Sequence, residues 1–209
     1  MNPSENRPTL YFSIRSPFAR RVRIAMHRLA FPYHEAEISV FEPTPEFFES
    51  SPIGTVPSLL VPGLPYSIGD STAILEYLHD EHGGKIWPTD PKARTLVRAA
   101  SVLAESLMTN TVAWFLENQR KTPSGEWAAE FLENLDRVFA KISSQDLGAM
   151  PWKVSPLQLT QAGYDLIVAL QYAEIRLKEM DWKAKYPSLL HFVDSHKNRG
   201  DILPTTPPA

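Results

Sequence analysis

Prolines divide this chain unevenly. Ten of the nineteen lie between Pro17 and Pro91, whereas positions 92–199 hold only Pro123, Pro151, Pro156 and Pro187. Inside a helix a proline removes a backbone donor and collides with the preceding turn, so closely spaced prolines confine a segment to short elements. The first part therefore reads as a compact mixture of short strands and helices, and the remainder as long helices. At 209 residues the chain is long enough for two small domains. The expected boundaries are 1–84 for the first and 91–209 for the second.

Hydrophobic spacing fills in that division. Thr9-Leu-Tyr-Phe-Ser13 is an apolar, aromatic run suited to a buried strand. After Ser16-Pro17, residues Phe18, Val22, Ala25 and Leu29 recur at steps of four, three and four, which is one helical face. A serine before a proline reads as an N-cap followed by the first helical residue. Tyr33 to Ile38 reads as a second strand, and Pro45 to Ser50 as a brief helix. Ser58–Val61 and Tyr66–Ile68 flank Pro62-Gly-Leu-Pro65, which predicts a hairpin. Asp70-Ser-Thr72 opens a helix with Ile74, Leu75 and Leu78 inward. Beyond Pro91, helical spacing predicts helices over Ala93–Asn118 and Trp127–Ile142, a third capped by Thr160 and a fourth opened by Pro187. The end, Pro204 to Ala209, is expected to fray.

Charge and cysteine content narrow the chemistry. Twenty-four acidic against 21 basic groups leave a net charge of −3, which lacks the positive field that nucleic acid or an anionic membrane attracts. No apolar run reaches the ~18 residues of a membrane span, and the polar start Met1-Asn-Pro-Ser-Glu-Asn-Arg7 lacks a signal-peptide core, so a cytoplasmic protein is expected. The chain has no cysteine, which excludes disulfides, cysteine-ligated metals and a thiol nucleophile of its own. Any thiol chemistry must use a thiol brought by a ligand.

Three stretches, Leu10-Tyr-Phe-Ser-Ile-Arg-Ser-Pro-Phe-Ala-Arg-Arg-Val-Arg-Ile24, Ser51-Pro-Ile-Gly-Thr-Val-Pro57 and Asp70-Ser-Thr-Ala-Ile-Leu-Glu-Tyr-Leu78, together resemble the signatures of the cytosolic glutathione S-transferases, in order and at suitable separations. Leu159–Gly163 and Trp182–Pro187 resemble that family's helical part. The resemblance implies an α/β plus all-α protein: a thioredoxin-like N-terminal domain followed by a C-terminal helical-bundle domain. It also implies glutathione as co-substrate, a small hydrophobic electrophile as second substrate, no metal, and a homodimer.

Site residues follow motif by motif. Ser16, before Pro17-Phe18, resembles the activating position of classes that carry Cys-Pro-Phe or Ser-Pro-Phe. A free thiol titrates near ~8.5, and a hydroxyl donor at a helix start favours its anion. Read from spacing alone, Ser16 is also an ordinary N-cap. Ser13 is the alternative hydroxyl. Phe18 lines the thiol end of the implied pocket or belongs to the core. A cis Val56–Pro57 bond, as the family implies, would present the Val56 N–H and C=O to an extended peptide. Asp70 and Ser71 would take the ammonium and carboxylate of the γ-glutamyl end, or simply cap a helix. Met108, Val112, Trp114 and Phe115 are candidates for the electrophile pocket or for core.

Two departures from the family pattern stand out. Val40-Phe-Glu-Pro-Thr44 offers no cation or amide for the glycyl carboxylate, and Gly163 stands where a capping box after Thr160 needs an acid, with Asp165 two residues out of register. Arg15, Arg20, Arg21, Arg23 and Arg28 read as a solvated basic face. His79 and His82 read as polar residues near a helix end rather than as metal ligands. The implied activity is glutathione conjugation. Its alternatives are a non-catalytic binding or interaction module, and a glutathione-dependent dehalogenase, ether-cleaving enzyme or peroxidase.

Overall fold

The structure, a computed structural model, describes residues 7–208; the remainder of the polar start, through Asn6, and Ala209 lie outside the described residues. The chain forms two compact units. One runs to Ile86 and takes back Gly200–Pro208, and the other spans Trp87–Arg199.

The first unit is built on a three-stranded sheet. Strand β1 (Thr9–Phe12) pairs in parallel with β2 (His34–Glu37) and antiparallel with β3 (Ser58–Leu60), giving the order β2-β1-β3. Alternation along β1 buries Leu10 and Phe12, while Tyr11 meets the ring of Phe47 at 5.8 Å on the other face. Helix α1 (Pro17–Leu29) connects β1 to β2, as a parallel crossover requires. Helix α2 (Pro45–Ser50) precedes β3, and α3 (Ser71–Glu81) closes the order expected from the sequence. The hairpin partner expected at Tyr66–Ile68 is reduced to one bridge, in which Leu59 and Ile68 exchange two hydrogen bonds of 2.9 Å. Tyr66 is 75% exposed, and the Ser67 hydroxyl turns to the Ser50 carbonyl, so only Ile68 remains to pair.

Helix α1 corrects the reading of a solvated arginine face. Arg20 and Arg21 are both buried, on different sides of the helix. Arg20 donates through Nε to Thr205 Oγ1 and through Nη2 to Thr206 Oγ1, each at 3.3 Å. Burial, helped by nearby Arg23, lowers its pKa to about 10, which still leaves it charged at neutral pH. Arg23 pairs with Glu35 at 3.1 Å and lies over the Phe12 ring. The chain end, expected to fray, instead forms a 3₁₀ turn over Leu203–Thr205 with Thr205 buried. Hydroxyls that satisfy a buried guanidinium hold it in place, an effect invisible to local sequence.

The second unit contains the expected long helices α4 (Pro91–Asn118) and α5 (Gly125–Ser143), then α6 (Gln161–Arg176), the short α7 (Trp182–Lys185) and α8 (Pro187–Asp194). A two-stranded ribbon, β4 (Lys153–Ser155) with β5 (Gln158–Leu159), precedes α6. Helix α6 is buried almost all round, as a central helix is. Its buried Asp165 accepts hydrogen bonds from Ser101 of α4 and from Gln161 at 2.8 Å, joining the two helices. The rings of Trp182 and Tyr186 stack on Phe139 of α5 at 5.6 and 5.8 Å.

The start of α6 explains the incomplete capping box. Thr160 Oγ1 accepts from Gly163 N–H at 3.3 Å, the usual half of the box. The reciprocal partner is a backbone group: Thr160 N–H donates to the Trp152 carbonyl at 3.0 Å. That carbonyl lies so close to Gly163 that a Cβ there would overlap it, and the same Cβ would stand 3.0 Å from Leu159 Cδ2. An acid at this position has no room. In an ordinary helix Gly→Ala stabilises by roughly 1 kcal/mol. At Gly163 the sign reverses: Gly163→Ala is expected to lower unfolding free energy by about 2 kcal/mol or more, read as a reduced urea midpoint at unchanged slope.

Candidate functional site

Strand register gathers the first unit's predicted residues at one end of the sheet. Tyr11 pairs with Ser58, so the start of β3 lies beside the end of β1, where the chain turns through Ser13 to Ser16. The Leu59–Ile68 bridge is also antiparallel, so the chain leaving Ile68 runs back toward that end and reaches Asp70 and Ser71. Ser13, Ser16, Val56, Pro57, Asp70 and Ser71 therefore share one edge, at which α1 and α3 both begin.

Ser16 is the N-cap of α1. Its Oγ accepts from Ala19 N–H at 3.2 Å, and its own N–H donates to the Ser13 carbonyl at 2.9 Å. The two readings of Ser16 coexist physically. Capping uses an oxygen lone pair, and the half-buried hydroxyl keeps its proton to donate. The side chain stands at the positive end of a 13-residue helix, where an anion is favoured. Ser13 is also half-buried, one turn earlier, and Phe18 is half-buried on the first turn of α1.

The Val56–Pro57 bond is cis. Pro57 is buried and Val56 half-buried, and among the described residues neither the N–H nor the C=O of Val56 has a hydrogen-bond partner. An unpaired backbone donor and acceptor on one residue match the edge of a peptide laid alongside it. Gly54, two residues before, has φ 66°, a left-handed angle that glycine adopts without strain.

Asp70 is exposed and caps α3, its Oδ1 accepting from Thr72 N–H at 2.8 Å and Ala73 N–H at 3.0 Å. Oδ2 is left for another donor. Ser71 is buried, and its Oγ accepts from Arg21 Nη1 at 3.2 Å. The same nitrogen lies 3.2 Å from Thr72 Oγ1. Sequence reading missed Arg21, although its place on the helix could have revealed it. Three residues after Phe18 and four before Ala25, it falls within about 60° of both on the helical wheel, on the apolar face.

In the second unit the four electrophile candidates separate. Trp114 and Phe115 line a cavity of about 250 Å³ with Asn118, Gln119, Ile175, Arg176 and Glu179. Met108 is fully buried in α4, and neither it nor Val112 lines this cavity. The Arg176 guanidinium lies 3.9 Å over the Phe115 ring. Of the two histidines, His79 is buried and its Nδ1 accepts from Ile86 N–H at 3.2 Å, while His82 packs edge-on against Phe31. Among the described residues no three side chains are grouped to hold a metal ion.

Comparisons with known proteins bear on these features. Residues 10–86 match the glutathione S-transferase N-terminal domain. A zeta-class glutathione S-transferase from Euphorbia esula is 34% identical over 110 residues, which cover 50% of this chain and 48% of that protein. The match thus spans about half the length of that curated relative. Two solved structures superpose over nearly the whole chain. A glutathione S-transferase from Methylobacterium radiotolerans, in complex with glutathione sulfonate, is 25% identical at TM-score 0.85, covering 97% of this chain and 96% of its own. Another, from Methylobacillus flagellatus with GSH bound, is 26% identical at TM-score 0.86, covering 96% and 100%. Residues 10–86 thus carry a glutathione S-transferase N-terminal domain, and the chain as a whole is similar in architecture to the two glutathione S-transferases that superpose on it.

Proposed function

We propose that the protein is a glutathione transferase that holds the thiol of glutathione as thiolate for attack on a small hydrophobic electrophile. The observation that carries this reading is the strand register, which turns three complementary groups toward one end of the sheet. These are a hydroxyl at the start of α1, the unpartnered Val56 backbone, and the Asp70–Ser71 pair at the start of α3. Relatives crystallised with glutathione sulfonate and with GSH support the choice of peptide.

The chemistry follows from the donors available. The peptide's cysteinyl residue pairs with Val56, its γ-glutamyl ammonium meets the free oxygen of Asp70, and its α-carboxylate meets the N–H and hydroxyl of Ser71. The sulfur then approaches Ser16. Its thiol proton leaves to solvent, and the Ser16 O–H donates to the resulting anion, which the start of α1 also stabilises. The thiolate forms a carbon–sulfur bond to the electrophile, and a leaving group departs with its electron pair. Serine makes no mixed disulfide, which favours conjugation over thiol exchange. Trp114 and Phe115 are the aromatic contacts proposed for the second substrate. The expected assembly is a homodimer, and the expected location is the cytoplasm.

Calorimetry with millimolar glutathione, together with the ultraviolet thiolate absorption of the bound peptide as pH is raised, tests this reading. Uptake is expected, with the thiol titrating below its free value of ~8.5. Ser16→Ala is expected to move that midpoint back toward the free value and reduce turnover. Ser13→Ala is expected to leave both unchanged; the opposite result assigns the role to Ser13. Ser16→Ala also loses a cap and about 1 kcal/mol of stability, whereas Ser16→Asp keeps an acceptor for Ala19 N–H but has no hydroxyl. Loss of thiolate in both variants separates chemistry from folding. Uptake with neither thiolate nor turnover would identify a binding module, a reading that the bare Val40–Thr44 segment favours. No uptake ends the proposal.

A further inference from the structure

We propose that Arg21 is a positioning residue that makes Ser71 selective for the α-carboxylate of the γ-glutamyl group. This inference rests on the glutathione reading above. Arg21 is fully buried in the second turn of α1, on the side facing α3. Its guanidinium can only donate hydrogen bonds, and Nη1 donates to Ser71 Oγ at 3.2 Å. A serine hydroxyl has one proton and two acceptor positions, so filling one acceptor position from Arg21 turns the proton away from the guanidinium. Among the described residues no group accepts that proton. Ser71 is 4% exposed, so this is a nearly buried donor held ready without an acceptor.

Two further donors of positive potential converge there. The Ser71 N–H belongs to the first turn of α3, where backbone N–H groups have no partner within the helix. Arg21 itself lies one hydrogen bond behind the hydroxyl, so a carboxylate on Ser71 would sit roughly 5–6 Å from a buried cation. Asp70 carries the opposite charge one residue away. The arrangement sorts the two charges of an amino-acid end: carboxylate to Ser71 backed by Arg21, ammonium to Asp70. Arg21 touches no substrate in this scheme and acts through Ser71.

The test compares three peptides by calorimetry: glutathione, 4-aminobutyryl-Cys-Gly, which lacks the α-carboxylate, and glutaryl-Cys-Gly, which lacks the ammonium. Arg21→Met is expected to weaken glutathione and the glutaryl peptide on the order of ten- to hundredfold. The 4-aminobutyryl peptide should change by less than about threefold, a margin within the spread of a lost surface contact. Arg21→Lys should recover part of the selective loss, and adding Ser71→Ala to Arg21→Met should weaken glutathione little further. A damaged fold would weaken all three peptides alike, and equal losses or no loss overturn the role of Arg21. Should Arg21→Met fail to fold, Arg21→Lys and Ser71→Ala carry the same comparison, with selective loss expected in each. Failure of the wild-type protein to bind any of the peptides removes the glutathione reading and this inference together; binding by the wild type with unselective losses removes this inference alone.

Discussion

The candidate site depends on the pairing of a single four-residue strand. β1 takes a parallel neighbour on one side and an antiparallel one on the other, and that combination brings the start of β3 to the end from which α1 departs. A slip of one residue would turn Leu10 and Phe12 out of the core, so the register is fixed by burial rather than by the few hydrogen bonds of a short strand. Ser16, Val56 and Asp70 lie far apart in sequence and share an edge only because this register holds. The catalytic reading of the edge thus rests on apolar packing beneath it.

Helix α1 gives that edge its electrostatic character. Arginine is almost never fully buried without compensation, yet this helix buries two in succession. Each donates to pairs of hydroxyls: Arg20 to Thr205 and Thr206, Arg21 to Ser71 and Thr72. Hydroxyls are well suited to this, because they accept from a guanidinium while keeping a proton for a second contact. The same property lets Ser16 cap α1 and still present a donor.

Much of the architecture was legible because helix starts are written locally. Ser16, Asp70 and Thr160 each mark an observed beginning, since a cap needs only a side chain within three residues of its partner, and Pro187 marks another because its fixed backbone angle suits a first helical position. Features that depend on remote partners were not legible in this way. The Trp152 carbonyl that excludes a side chain at Gly163, and the threonines that hold Arg20, are fixed by tertiary structure. Periodicity found the inward face of α4 but not which part of it lines a cavity, so Trp114 and Phe115 parted from Met108 and Val112. The β4–β5 ribbon escaped notice because it is brief, largely exposed and irregular between Lys153 and Ser155. For the site, motif resemblance pointed to Val56–Pro57; the helical wheel places Arg21 on the apolar face, but its partner Ser71 is fixed only by tertiary structure.

The return of Gly200–Pro208 to the first unit bears on how the protein emerges from the ribosome. Domains generally fold as the chain is synthesised, N-terminal parts first. Here the sheet unit leaves the exit tunnel early but lacks the hydroxyls of Thr205 and Thr206 until more than a hundred further residues have been made. Until then Arg20 must keep water or other partners, and the helix that opens at Ser16 waits on Gly200–Pro208 to complete its far side.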